Sequence, residues 1–408
     1  MDFDDSPEEQ AYRAQVCAFL DAHATRKTES SLGDSYYAKA PSAGEEHEHV
    51  RACKAWQRVV FDNGWAGIAW PKAYGGRGET ARHQGIFNQE QARYDVQAGV
   101  FSVGIGMTGP TLIAHGTDEQ KERYLRPMLQ GDEVWCQLFS EPGAGSDLGG
   151  LRTTAVRDGD EWVVNGQKVW TSGAHYSDWA ILLTRTDVSA PKHRGITYFL
   201  VDMRTPGIDV RPLRQITGAA HFNEVFLSDV RIPHENIVGE INAGWGPMMT
   251  TLANERTLIG GGQSRTNIAD LIALAHATGT DNDPVIRQEL AKAYTRMQLQ
   301  TYLGYRVRTA SVRGEQPGPE SSVMKLAVSL HLHEIGNLVM AMEKAAGMLS
   351  GASAIDSGRW QMEFLGQFGA RIGGGTDQIQ RNTIGEKVLR LPPEPRVDKG
   401  IPFRDIPG

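Results

Sequence analysis

The period of the hydrophobic pattern changes twice along this chain, and that ordering restricts its fold more than any other feature. Up to about residue 133, apolar residues recur at helical spacing. SPEEQAYRAQVCAFLDAHA offers Ser6 as an N-cap, Pro7 at the first helical position and acids in the first turn. AGEEHEHVRACKAWQRVVFDNGW repeats the helical period and stops near Gly64. TDEQKERYLRPMLQG ends at Gly131, and the turn-rich WPKAYGGRG separates the two runs. From about residue 134 to 239 the texture becomes β-like. DWAILLTRT, GITYFLVDM and FNEVFLSDVRIP are short β-branched and aromatic runs, and EWVVNGQKVW carries an Asn-Gly pair that predicts a hairpin turn. After Gly244 the helical period returns in three long runs covering residues 246–277, 283–312 and 319–349, with a polar linker at ATGTDNDP.

Helices, then strands, then helices predict an α+β chain. The expected parts are an N-terminal helical domain (1–133), a central β-barrel or sandwich domain (134–242), a C-terminal antiparallel four-helix bundle (243–395) and a surface-coil tail (396–408). A length of 408 residues exceeds one ordinary core and fits several packed units. A net charge of −7 argues against a nucleic-acid surface, which needs a basic patch. Cys17, Cys53 and Cys136 have neither paired nor metal-like spacing, which predicts a reducing, cytoplasmic setting and no metal site. The acidic MDFDDSPEEQ does not read as a signal peptide, and no apolar run approaches the ~20 residues of a membrane span.

Three segments carry chemistry: WCQLFSEPGAGSDLGG (135–150), NGQKVWTSGAHYSDWAILLTRT (165–186) and GGGTDQIQRNTIGEKVLRLP (373–392). In the first, small residues such as Gly145 let the backbone approach a pyrophosphate, and Ser140 and Ser146 add hydroxyl donors without bulk. In the second, Trp170 is a flat wall suited to a ring system, and Ser172 follows two residues on. Alone, the first would be an ordinary turn and the second a core tryptophan. The third begins with a glycine run leading into a helix start, where polar groups suit a phosphate. Together and in this order around a β domain, the three resemble the acyl-CoA dehydrogenase family of flavoproteins, over nearly the whole chain to about Pro392.

That resemblance implies an FAD enzyme of lipid β-oxidation type. It would oxidise the α,β carbon–carbon bond of an acyl-CoA thioester to the trans-2-enoyl product. A carboxylate takes the α-proton, flavin N5 takes the β-hydride, and an electron-transferring flavoprotein accepts the electrons. Ser140, Gly145, Ser146, Trp170, Ser172, Thr376 and Gln378 match family positions that contact the cofactor, Ser172 standing where the family usually has threonine.

Many family members carry the proton-abstracting glutamate immediately before the Gly-Thr of the third motif; here that position is Gly374. Others place the base in a Glu-Arg pair on the first long helix after the β domain, and this chain has ANERTLIGG there, with Glu255 and Arg256. The resemblance therefore implies Glu255 as base, Arg256 as a substrate contact and the Gly374 backbone amide as a donor to the thioester carbonyl. Read without it, Glu255 is a solvated helical carboxylate. Asp377 is a rival base, expected to face the cofactor. An empty loop position also frees volume for a branched or ring-bearing acyl group; fatty, branched, aromatic and steroid side-chain thioesters all fit.

Two departures bear on assembly. The Arg-x-x-Phe-Gly stretch that touches a neighbouring subunit's flavin is absent from ALAHATGTDNDPVIRQEL, and the Gln-x-x-Gly-Gly segment before the final loop is not clear. The chain then forms either a homo-oligomer (dimer or tetramer) using other residues or a hetero-oligomer with a related subunit that shares flavin sites unequally. A flavin oxidase or monooxygenase on the same fold is the alternative activity. A DNA-associated flavoprotein lacks its basic surface, and Glu255 speaks against a catalytically lost subunit.

Overall fold

Ser6 caps the first helix with both halves of a capping box: its side chain accepts from Glu9 N, and the Glu9 carboxylate accepts from Ser6 N at 2.8 Å. The computed structural model describes residues 5–27, 43–260, 266–312, 318–319, 321–396 and 398–406. In chain order the first part comprises α1 (Pro7–His23), β1 (Thr25–Arg26), α2 (Ala43–Asp62), α3 (Ala81–Gln91), β2 (Tyr94–Asp95), α4 (Gly109–His115) and α5 (Asp118–Gln130). Thr117 caps α5 with a second capping box, and Gly131 closes it in a left-handed conformation at φ 78°.

The middle part is one seven-stranded curled sheet: β3 (Trp135–Leu138), β4 (Thr154–Asp158), β5 (Glu161–Ser172), β6 (Trp179–Arg185), β7 (Ile196–Asp202), β8 (Ile208–Leu213) and β9 (Phe222–Pro233). The strands run in the order β3-β6-β4-β5-β9-β8, with β7 also paired to β6. The unbroken apolar run of β6 has a simple cause: the strand is buried on both faces. Trp179, Ile181 and Leu183 join a core shared with helical residues such as Leu112, Leu125 and Met248, while Ala180 and Leu182 join a second core inside the curl with Phe199, Val225 and Leu227.

The last part holds α6 (Trp245–Gly260), α7 (Ile268–Ala277), α8 (Pro284–Val312), α9 (Ser321–Glu343), α10 (Arg359–Ile372) and α11 (Asp377–Thr383). α9 packs against α6, α8 and α10, and the bundle core gathers Leu271, Ile286, Ile335, Leu338, Val339 and Trp360. The first long run thus forms two helices, and residues 261–265 between them lie outside the described residues. Among the described residues no helix is long and apolar enough to cross a membrane.

Two sequence expectations are corrected. Asn165-Gly166 is not a hairpin turn: it lies within β5, and the chain reverses at residues 159–160, where Asp158 pairs with Glu161. Gly166 is there because a Cβ would come within 2.4 Å of Thr153 Oγ1, and the Asn165 side chain is tied to Asp229 across to β9 at 2.9 and 3.0 Å. The final segment is not a loose coil. It is fastened to the β6–β7 connection by Phe403 N to Ala190 O at 2.9 Å and Arg404 N to Val188 O at 3.0 Å.

α9 also buries an imidazole completely, and both His331 ring nitrogens lack a hydrogen-bond partner among the described residues. Burial, helped by Arg296, pushes its pKa down to about 4 from 6.5. The unfolded chain takes up this proton near pH 6.5 and the folded one does not, so stability falls as pH falls from 6.5 towards 4, by at most about 3 kcal/mol. His331→Leu is expected to flatten this part of a plot of urea midpoint against pH. An unchanged slope would rule out His331 as its source.

Candidate active site

Glu141 is the anchor of the SEPGAGSD segment. Its carboxylate accepts from Arg152 N at 2.7 Å, Thr153 N at 2.9 Å and Lys168 Nζ at 2.8 Å. Lys168 is fully buried on β5 and also donates to Phe139 O at 3.1 Å. Burial opposes the charge on Glu141, yet Lys168 and the donated hydrogen bonds hold its carboxyl below the usual range. Burial pushes Lys168 down to about 8, with Glu141 opposing. This pair, together with the hydrogen bond from Val169 N to Ser140 O at 2.9 Å, joins the first two motifs into one unit. Glu141 and Ala144 exchange backbone hydrogen bonds of 3.0 Å each, leaving Gly143, Gly145 and Ser146 at the surface. A Cβ added at Gly143 or Gly145 would meet nothing within 4 Å, so these glycines line open space rather than packed interior.

β5 carries a register shift between Lys168 and Thr171, and Trp170 sits in it. Its backbone is left-handed at φ 63°, and its indole is 58% exposed, edge-on to Phe222 at 5.9 Å. A bulge re-aims a side chain, and a bulky residue at positive φ stores strain that functional sites retain. The consequence here is a large aromatic face held out of the sheet beside the glycine-lined turn. Ser172 lies two residues on, partly buried, opposite Phe222. Beneath them Thr171 Oγ1 and Asn223 Nδ2 are buried with no hydrogen-bond partner among the described residues. Open space over small residues, an upright indole and orphaned polar atoms fit a planar, acceptor-rich cofactor.

The glycine run is first of all a conformational device. α10 ends at Ile372, and Gly374 and Gly375 then take φ 63° and 84°. Gln380 Nε2 donates to Gly374 O at 2.8 Å, and a Cβ on Gly375 would come within 2.7 Å of that nitrogen. Thr376 is the N-cap of α11, accepting from Ile379 N at 3.2 Å, and Gln378 is exposed. Asp377 does not occupy the place expected of a rival base. It is 1% exposed and directed into the bundle, accepting from Ser329 Oγ at 2.6 Å and Arg371 Nε at 2.9 Å, with Lys325 Nζ at 3.8 Å. Burial opposes its ionisation, but Ser329, Arg371 and Lys325 hold the carboxyl below the usual range, which suits a structural ion and not a proton acceptor.

Glu255 lies on α6 and is partly buried. One turn earlier, Thr251 is fully buried and contacts Thr111 of α4 at 2.9 Å and the Tyr198 hydroxyl of β7 at 3.1 Å. Residues four apart share a helix face, so Glu255 continues the face that α6 turns towards α4 and the sheet. Three residues further, Leu258 approaches Gly106, where a Cβ would meet its Cδ1 at 2.6 Å. The Arg256 side chain lies outside the described residues.

The structure thus joins Ser140, Gly145, Ser146, Trp170 and Ser172 in one connected unit, and places Gly374, Thr376 and Gln378 on the α10–α11 turn and Glu255 on α6. The Glu141–Lys168 pair went unread at the level of sequence. Its signal was present: Trp162, Val164 and Lys168 fall on one face of a strand, and a lysine on an inward face requires a buried counter-charge.

Three domains of one family match the chain: the acyl-CoA dehydrogenase N-terminal domain over residues 6–132, its middle domain over 136–230 and its C-terminal domain over 242–389. Acyl-CoA dehydrogenase IpdE1 of Mycobacterium tuberculosis (strain ATCC 25618 / H37Rv) is 40% identical over 355 residues, covering 86% of this chain and 91% of its own. Among solved structures, the Tcur3481-Tcur3483 steroid ACAD superposes with a TM-score of 0.79 at 28% identity, over 97% of this chain and 100% of the other. The ChsE4-ChsE5 complex from Mycobacterium tuberculosis gives 0.76 at 29% identity, over 96% and 100%.

Proposed function

This chain belongs to the acyl-CoA dehydrogenase family, and from that premise we propose that it binds FAD and dehydrogenates an acyl-CoA thioester to the trans-2-enoyl product, with Glu255 as the proton acceptor. The observation that carries this reading is Trp170, held upright at positive φ beside the glycine-lined SEPGAGSD turn and tied to it through Lys168 and Glu141. The bound flavin supplies the hydride acceptor. The chain's own residues do the rest. Glu255 receives the α-proton, and the Gly374 amide holds the thioester carbonyl as negative charge develops on it. Trp170 would lie against the flavin ring and shield it from water. Ser140, Gly145, Ser146 and Ser172 would hold the same cofactor, with Thr376 and Gln378 of the α10–α11 turn as further contacts, and Arg256 is the substrate contact that the resemblance implies.

The missing Arg-x-x-Phe-Gly stretch and the two-component names of the solved relatives favour a hetero-oligomer with a related subunit over a dimer or tetramer of this chain alone. The name steroid ACAD, with a glycine at 374 where a side chain would fill the site, favours a ring-bearing, steroid-derived thioester. An electron-transferring flavoprotein in the cytoplasm is the acceptor we assign; the three cysteines are free thiols, as a reducing compartment requires.

The test is flavin per chain from visible absorbance, with and without co-expression of a neighbouring dehydrogenase gene, followed by anaerobic titration with acyl-CoA. Bleaching by a ring-bearing thioester, with slow reoxidation in air, supports the reading. Failure to retain flavin under either condition overturns it, and rapid reoxidation by oxygen favours an oxidase.

A further inference from the structure

We propose that residues 398–406 are a clasp that positions the 147–152 turn, and through it the cofactor loop, with Phe403 and Asp398 as its positioning residues. This rests on the reading of SEPGAGSD as cofactor-binding.

The clasp works through the β6–β7 connection. Its backbone is stitched to that connection by the two hydrogen bonds to Ala190 and Val188 and by a bridge between Pro191 and Pro402. Arg185, at the end of β6, is 2% exposed, and its guanidinium carbon lies 3.8 Å from the centre of the Phe403 ring. From under that ring it donates to Gly149 O at 2.6 Å and to Lys192 O at 2.7 Å. Its own amide donates to Thr153 O at 2.7 Å. Arg185 therefore grips both sides of the turn that follows SEPGAGSD, its guanidinium at Gly149 and its backbone amide at Thr153, and the clasp supplies the aromatic face that shields the guanidinium from water. Lys192 makes the second link. Its ammonium lies 2.9 Å from Asp147 Oδ2, the last residue of SEPGAGSD, and pairs on its other side with Asp398 of the clasp.

The same connection reaches towards the chemistry. The His193 ring meets Trp245, the first residue of α6, edge-on at 4.4 Å, and a Cβ on Gly149 would come within 3.1 Å of that ring. Gly244 N donates to Ile196 O at 2.8 Å. A segment about 250 residues away in sequence thus closes one mechanical circuit around the cofactor turn and the root of the helix that bears Glu255.

Two readouts in the purified protein test this. Phe403→Ala is expected to speed hydrogen exchange of amides 147–152 by about tenfold and to raise the FAD dissociation constant of the reconstituted protein by a similar factor, while Phe403→Tyr retains both. Asp398→Asn, on the partly exposed side of the clasp, gives a smaller shift in the same direction and serves if Phe403→Ala fails to fold. Unchanged exchange at 147–152 in both variants overturns the clasp. Faster exchange with unchanged FAD affinity also overturns the proposal, and locates the failure in the assignment of the loop to the cofactor.

Discussion

Glu255→Gln is expected to purify with its full complement of flavin and to lose reduction by acyl-CoA by about a hundredfold to ten-thousandfold. The amide keeps the shape and most of the packing of the carboxylate but cannot accept the α-proton, and general-base catalysis contributes ~10²–10⁴ even when other routes remain. The residue is set on a helix whose register is fixed by Thr251 against Thr111 and Tyr198, so the substitution should not move α6. The loop offers no substitute, since Gly374 has no side chain and Asp377 is held by Ser329 and Arg371. Rapid-mixing absorbance at the flavin band is the measurement. Bleaching at the wild-type rate would remove Glu255 from the mechanism and return attention to the residues near Gly106 and Leu258.

The second large effect is structural and reaches function indirectly. Lys168→Met leaves the Glu141 carboxylate buried without its counter-charge, and breaking a buried pair in this way costs about 3–5 kcal/mol. The loss should appear in urea unfolding and also as flavin released during purification, because the same pair ties the SEPGAGSD loop to the strand that bears Trp170. Glu141→Gln in the Lys168→Met background should recover part of the stability, since it removes the uncompensated buried charge; the glutamine oxygen can accept from only one of Arg152 N and Thr153 N, which bond to different oxygens of the carboxylate. A single variant as stable as the parent, with flavin intact, would show that the pair is idle.

Much of this was legible before any coordinates. The Ser6 cap, the glycine that ends α5 and the three apolar strands are local properties, and local chemistry decided them. Asn165-Gly166 misled because the same dipeptide serves two ends. In a turn it supplies positive φ, but here Gly166 clears Thr153 and Asn165 grips Asp229. Both partners are distant in sequence or on another strand, and short-range pattern does not contain them. Asp377 misled for the same reason, since its neighbours Ser329 and Lys325 come from α9. The grip of Phe403 on Arg185 likewise depends on tertiary contact. For the site, the motif order was enough to single out the SEPGAGSD and KVWTS segments that the structure joins, and the empty position at Gly374 drew attention to Glu255. The bulge that stands Trp170 upright follows from how β5 pairs with β9.

β6 has one more consequence. The family match passes from one domain to the next between residues 132 and 136, yet Trp179, Ile181 and Leu183 of β6 fill the same core as Leu112 and Leu125 from the helical part. The seam visible in sequence is not a seam in packing. A middle domain transplanted without its helices would arrive with a raw tryptophan-lined flank, so a graft that is to stay soluble must carry both parts as a single piece.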